Sequence, residues 1–113
     1  ASAQPASALV VAATLRSGQR VAHEGSVLVL GDVNPGAEVI AGGSVVVWGH
    51  LRGLAHAGAE GDEKVVVCAL DLSPTQLWIA GKIMPVPPRR GKTPPEQVQI
   101  KDGKFVSEEW KVK

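Results

Sequence analysis

The sequence predicts an all-β protein, a triangular parallel β-helix with about 18 residues per coil, and three observations carry that prediction. Composition is the first: 13 glycines and 8 prolines among 113 residues, with one Phe and no Tyr, favour short strands joined by tight turns. The second is an internal repeat. The stretch GQRVAHEGSVLVLGDV from Gly18 overlays GAEVIAGGSVVVWGHL from Gly36 at an offset of 18, with Gly18/Gly36, Val21/Val39, Val27/Val45, Val29/Val47 and Gly31/Gly49 coinciding. The third is the character of the unit, which is too short for a helix pair, lacks a 3.6-residue period and holds three extended pieces separated by glycine or Pro-Gly. Stacking such units pairs each strand in parallel with its equivalent one coil on, with the right-handed winding usual for parallel crossovers.

Taken in order, residues 1–13 are small and apolar and are expected to be a linker, and residues 14–83 to form the β-helix. A third copy of the repeat runs from Leu54 to Leu70, lengthened by two residues at the acidic turn Glu60 to Lys64, and a partial fourth runs from Gln76 to Ile83. In this register His56 stacks on Glu38. The second strand of each coil reads SVLVL, SVVVW, KVVVC and QLWIA, apolar at successive positions, so this sheet should be covered on both faces. Pleat alternation sends Val27, Val29, Val45, Val47, Val65, Val67, Leu77 and Ile79 inward. It leaves Leu28, Leu30, Val46, Trp48, Val66, Cys68 and Trp78 facing out. A patch with two tryptophans is too large to stay wet, and its simplest cover is a second copy of the same face, a two-fold homodimer. The other possible cover is the C-terminal segment folding back. Residues 84–95 are proline-rich and read as an extended connector, whose Arg89, Arg90 and Lys92 are expected to serve solvation rather than to form a basic spot. Residues 96–113 have strand-turn-strand form around Asp102-Gly103, a hairpin that flanks the solenoid, limits its exposed edge and docks with the help of Trp110.

Several function classes find no support. A net charge of +1 with 20% charged residues gives no electrostatic basis for binding nucleic acid or an anionic membrane directly. No apolar run is long enough to be a membrane-spanning helix. The single cysteine, Cys68, excludes an internal disulfide and suits a reduced, cytoplasmic setting. His23, His50 and His56 lack metal-ligand spacing, and the acidic turn lacks the ligand pattern of a calcium loop. With neither a phosphate-binding glycine motif nor a nucleophile elbow, no cofactor and no catalytic residues are expected. Binding or assembly is left.

One segment stands out from the repeat. In LRSGQRV, Leu15 to Val21, five consecutive residues are polar or glycine. Arg16 carries a planar five-donor fork suited to a carboxylate, and Gln19 can donate and accept. Gly18 permits close backbone approach, and Ser17 can fix the turn. One coil later the same positions read Asn34-Pro35-Gly36-Ala37, ordinary corner residues.

This motif, followed by GSVLVLGDVNPGAEVIAGGSVVVWGHLRGLAHAG and ending in LWIAGKI, resembles the C-terminal domain of the bacterial septum-site-determining MinC family over Thr14 to Ile83. The resemblance implies a dimeric right-handed β-helix that binds the ATP-bound form of the ATPase MinD. Through MinD it would reach the inner membrane surface, helping to prevent assembly of the division protein FtsZ at the wrong places. By the same resemblance Arg16, Ser17, Gly18 and Gln19 are the MinD-binding motif, and Glu38 and Arg52 fall on its binding surface. The sequence departs from the family's pattern at Leu54, where members often carry a second arginine, and at Gly42, where they often carry an acidic residue. The family's FtsZ-acting N-terminal domain is not expected in the short stretch before Thr14. A competing reading is a self-assembling cytoskeletal solenoid like the bactofilins, whose Gly- and Val-rich coils are similar.

Overall fold

In the computed structural model, which describes residues 8–85 and 94–111, apolar side chains at alternate positions build short strands that stack coil on coil. Among the described residues there are eleven strands and no helix. They are β1 (Ala8–Val11), β2 (Arg20–His23), β3 (Ser26–Val29), β4 (Glu38–Ala41), β5 (Val45–Leu51), β6 (Leu54–Ala57), β7 (Val66–Leu72), β8 (Gln76–Ile79), β9 (Lys82–Met84), β10 (Glu96–Lys101) and β11 (Lys104–Glu109). Two sheets form, in the orders β1-β3-β5-β7-β10-β11 and β2-β4-β6-β8-β9. Pairing is parallel from β1 to β7 in the first sheet and from β2 to β8 in the second. The third side of the triangle is narrow, a ladder of single bridges from Leu15 to Val33 to Leu51, continued by the pairing of Leu51 with Leu72.

The core lies along the axis of this prism. All eight residues assigned inward by alternation are buried, from 0% exposed at Val29, Val45, Val47, Val67, Leu77 and Ile79 to 5% at Val65. The third side adds Leu15, Val33, Leu51 and Leu72, and the second sheet adds Val39 and the small Ala41, Ala55 and Ala57. Among the described residues no polar or charged side chain is buried, so the interior holds no charge that would have to be stripped of water.

The structure corrects the sequence reading in four places. The first coil starts earlier than Thr14: Ala8–Val11, expected in the linker, pairs in parallel with β3 from Ala8 beside Ser26 to Val11 beside Val29. An ALVV stretch has the branched, apolar character that a half-buried strand needs. The third corner is tighter than the repeat implies. Glu38 stands beside Leu54 and Ile40 beside His56, so His56 does not stack on Glu38. The chain regains the lost length in the loop before β7, where Val45 pairs with Val67 and the Ser44 hydroxyl accepts from the Val66 N–H 22 positions on.

The third correction moves Trp78. QLWIA is apolar at successive positions like the first-sheet strands, yet Gln76–Ile79 belongs to the second sheet, beside β6. Trp78 therefore leaves the outward face that carries Trp48. Finally, Cys68 faces out by alternation but is covered within the chain, at 5% exposure. The expected C-terminal hairpin forms, with Asp102 (φ 52°) and Gly103 (φ 76°) in the left-handed region that a two-residue primed turn requires. Its β10 pairs antiparallel with β7 and so extends the first sheet. Trp110 lies beyond β11, and its N–H donates to the Pro95 carbonyl at 2.8 Å. Its ring meets Trp48 edge-on, with centroids 5.7 Å apart. The second sheet ends in the same way: β9 turns back on β8 through Ala80 (φ 55°) and Gly81 (φ 81°). Arg89, Arg90 and Lys92 lie outside the described residues.

Candidate partner-binding corner

Leu15, 5% exposed, anchors the first coil on the third side, and the chain then turns outward. Residues 16–19 close a β-turn in which the Gln19 N–H donates to the Arg16 carbonyl at 2.9 Å. Gly18 at its third position has φ +87°, the left-handed value of a type II turn. The Gln19 side chain folds back, its Oε1 accepting from the Arg16 N–H at 2.7 Å. One half of the Gln19 amide is thereby committed to the turn, and its NH2 group is left to donate outward.

The corner is tied to the coil above. The Gly18 N–H donates to the Gly36 carbonyl at 3.0 Å. Asn34-Pro35-Gly36-Ala37 repeats the same turn, with an Ala37 N–H to Asn34 carbonyl bond of 2.9 Å and Gly36 again at φ +87°. A Cβ on Gly36 would overlap the Ser17 hydroxyl, so the two turns are in close stacking contact. The Asn34 N–H donates to the Leu15 carbonyl (3.0 Å) and the Arg52 N–H to the Val33 carbonyl (2.8 Å), which sets Arg16, Asn34 and Arg52 in one column along the prism edge. Arg16, Ser17, Gly18, Gln19 and Arg52 are all exposed. Among the described residues the Arg16 guanidinium makes no ion pair. Glu38 opens β4 just past the second corner and faces Arg20 across the register, Nε to Oε1 3.9 Å, an exposed pair of small energetic value. The structure thus gathers five of the six expected residues on one edge and sets Glu38 at its shoulder, with Arg20 added.

A second column flanks the third side, and the sequence reading missed it although the 18-residue offset contains it. The Thr14 hydroxyl accepts from the Asp32 N–H (3.2 Å), and Asp32 Oδ1 accepts from the His50 N–H (2.8 Å) and faces His50 Nδ1 at 3.1 Å. On the other side His50 Nε2 is 3.8 Å from Asp71 Oδ2. The His50 N–H bond above all, then the His50 ring and the Arg52 charge, hold the Asp32 carboxyl below its usual value against the opposing effect of burial. On the second sheet, burial lowers the His56 pKa, and its ring lies 5.8 Å from that of Trp78. In the first sheet, burial pushes the Cys68 thiol up to about 11. Among the described residues no group of His, Cys, Asp and Glu is placed to hold a metal ion.

Fold and edge together define a class: a parallel β-helical module whose hydrogen-bonded corner leaves the Arg16 guanidinium exposed and, among the described residues, outside any ion pair. Comparison with known proteins makes the assignment specific. The family model described as "Septum formation inhibitor MinC, C-terminal domain" matches residues 9–110, and the chain belongs to that family. A probable septum site-determining protein MinC of Heliobacterium modesticaldum is 50% identical over 104 residues, covering 90% of this chain and 36% of the relative. Its counterpart in Persephonella marina is 47% identical over 97 residues, 85% of this chain and 49% of the relative. The chain thus spans between about a third and a half of these relatives' lengths. A chain of the MinC:MinD cell division protein complex of Aquifex aeolicus superposes with a TM-score of 0.87 at 40% identity, over 95% of this chain and 89% of that one. The names of these relatives describe a determinant of septum position and not an enzyme.

Proposed function

We propose that this domain binds the ATP-bound dimer of MinD through the Arg16–Gln19 corner, dimerises through the outward face of its first sheet, and so helps to keep FtsZ from assembling at aberrant division sites. The observation that carries the reading is the corner itself. A turn closed by its own Gln19 side chain, and packed on the turn above, holds the Arg16 guanidinium in the open with no ion-pair partner among the described residues, and Arg52 stands in the same column two coils on. A carboxylate on the partner would complete the site, since the guanidinium fork matches a carboxylate in two-point geometry. Family membership and the likeness to a chain solved in a MinC:MinD complex support MinD as that partner. On this reading the domain is a cytoplasmic binding module and not an enzyme, and it reaches the membrane surface only through MinD.

For the dimer face, Leu28, Val46 and Val66 are half-buried, and Leu30 and Trp48 are each 46% exposed in the single chain. This is an apolar strip of the kind a second copy covers. Cys68 and Trp78 are not part of it. The bactofilin-like alternative is not favoured, because antiparallel strands close both sheets at their C-terminal side, where another coil would have to stack.

The test is co-sedimentation with MinD and ATP on phospholipid vesicles. Arg16→Ala is expected to abolish recruitment while light scattering still reports a dimer. Recruitment at the parental level would remove Arg16 from the site.

A further inference from the structure

The outward face of the second sheet carries one row of side chains across all of its strands, apolar except for His56. Register pairs Ala22 with Ile40, Ile40 with His56, His56 with Trp78 and Trp78 with Ile83, so each strand contributes one side chain at the same height. At about 4.8 Å per strand the row is roughly 19 Å long. Its two aromatic rings are fixed in advance: Trp78 Nε1 donates to Gln76 Oε1 at 3.2 Å, and His56 Nε2 accepts from the Gly81 N–H at 3.3 Å. At the end of the row Ile83 is 49% exposed.

The row is continuous with the arginine corner. Arg20 and Glu38 stand on β2 and β4 two residues before Ala22 and Ile40, so the charged edge borders the apolar row on the same two strands. An apolar centre with preset aromatic rings and a charged border is the anatomy of a protein interface, and prefixed rings lower the ordering cost of binding. The first sheet, on another side of the prism, offers a separate face for self-association.

We infer that Ile40, His56, Trp78 and Ile83 form the apolar half of the MinD-binding surface and receive an exposed apolar patch of the ATPase while the corner receives its carboxylate. The inference rests on the MinD reading above. Trp78 and Ile83 act as anchors, and the arginines set the orientation.

The test uses this domain, MinD and ATP on vesicles of anionic phospholipid, with Ile83→Glu as the main variant and Arg16→Ala as the reference. Ile83→Glu is expected to weaken recruitment by about tenfold or more, with far-UV circular dichroism and the dimer unchanged, whereas Ile83→Leu is expected to bind as the parent does. Parental recruitment of Ile83→Glu alongside loss of recruitment in Arg16→Ala would overturn the inference and leave the corner in place. Loss of the dimer in Ile83→Glu would assign the row to a second copy and overturn it equally. If neither the parent nor any variant is recruited, the MinD reading itself fails; if Arg16→Ala is recruited as the parent is, Arg16 leaves the site and the pairing of row and corner inferred here is overturned. Should Ile83→Glu not fold, Ile83→Ala replaces it: recruitment weakened several-fold supports the inference, and parental recruitment overturns it.

Discussion

Gly18 and Gly36 share a φ of +87° yet meet different surroundings, and that difference separates two costs usually confounded at a turn. A Cβ at Gly18 meets nothing within 4 Å, so Gly18→Ala should cost only the backbone preference, about 1 kcal/mol, a few degrees of melting temperature. Gly36→Ala carries the same cost and adds the overlap with the Ser17 hydroxyl, so it should melt lower by differential scanning calorimetry. Asp32 gives a pH signature. Its folded pKa lies below the ordinary carboxyl value of 3.8, so its stabilising contribution is complete above that value and is lost as pH falls through the folded pKa. Asp32→Asn should flatten the acid limb of the stability profile below about pH 4. Cys68, with its thiol held near 11, should react with iodoacetamide at pH 8 far more slowly in the folded chain than in urea. The inward valines were legible because a pleat has a period of two and nothing competes with it. The internal use of Gln19 Oε1 was not, because it depends on a rotamer that residue type does not determine.

At the level of the strand, alternation told which side of a sheet each residue takes but not which sheet it joins. QLWIA carries the same apolar pattern as SVVVW, and only the lengths of the corners decide that Gln76–Ile79 follows β6 in the second sheet. An unbroken 18-residue repeat does not predict those lengths, because the Arg52-Gly53 corner is two residues shorter than the Asn34-Pro35-Gly36-Ala37 corner one coil before it. Gly53 is buried there, where a Cβ would overlap the Ala37 carbonyl, so this corner has room only for a glycine. The terminal hairpin was readable from Asp102-Gly103, whereas Ala80-Gly81 gave no such signal, since alanine seldom adopts a φ of 55°. Two substitutions test the first sheet's outward face. Trp48→Asp should yield monomers by light scattering, since it places a charge at the centre of the strip. Trp110→Ala, which removes the edge-on contact at 5.7 Å, should destabilise the fold by about 1 kcal/mol or more in urea denaturation.

Across the whole molecule the solenoid has unlike ends. At the N-terminal side the sheets begin with β1 and β2 in parallel register, and at the C-terminal side both reverse direction, through β9 in one and β10 in the other. Reversal leaves a C-terminal edge that cannot continue the parallel ladder of another copy's first coil, so sedimentation should show one discrete species over a wide concentration range, with no filaments. The unequal corners bear on folding as well. Coils that are near copies invite a misfold in which the chain docks one storey out of step, every valine still finding a valine. Here such a slip would ask Arg52-Gly53 to span what Asn34-Pro35-Gly36-Ala37 spans, and would force the long loop before β7 into a slot cut for a short one. The irregular third coil is therefore a key that fits one lock, and it sets the alignment of a chain whose repeats alone would leave it ambiguous.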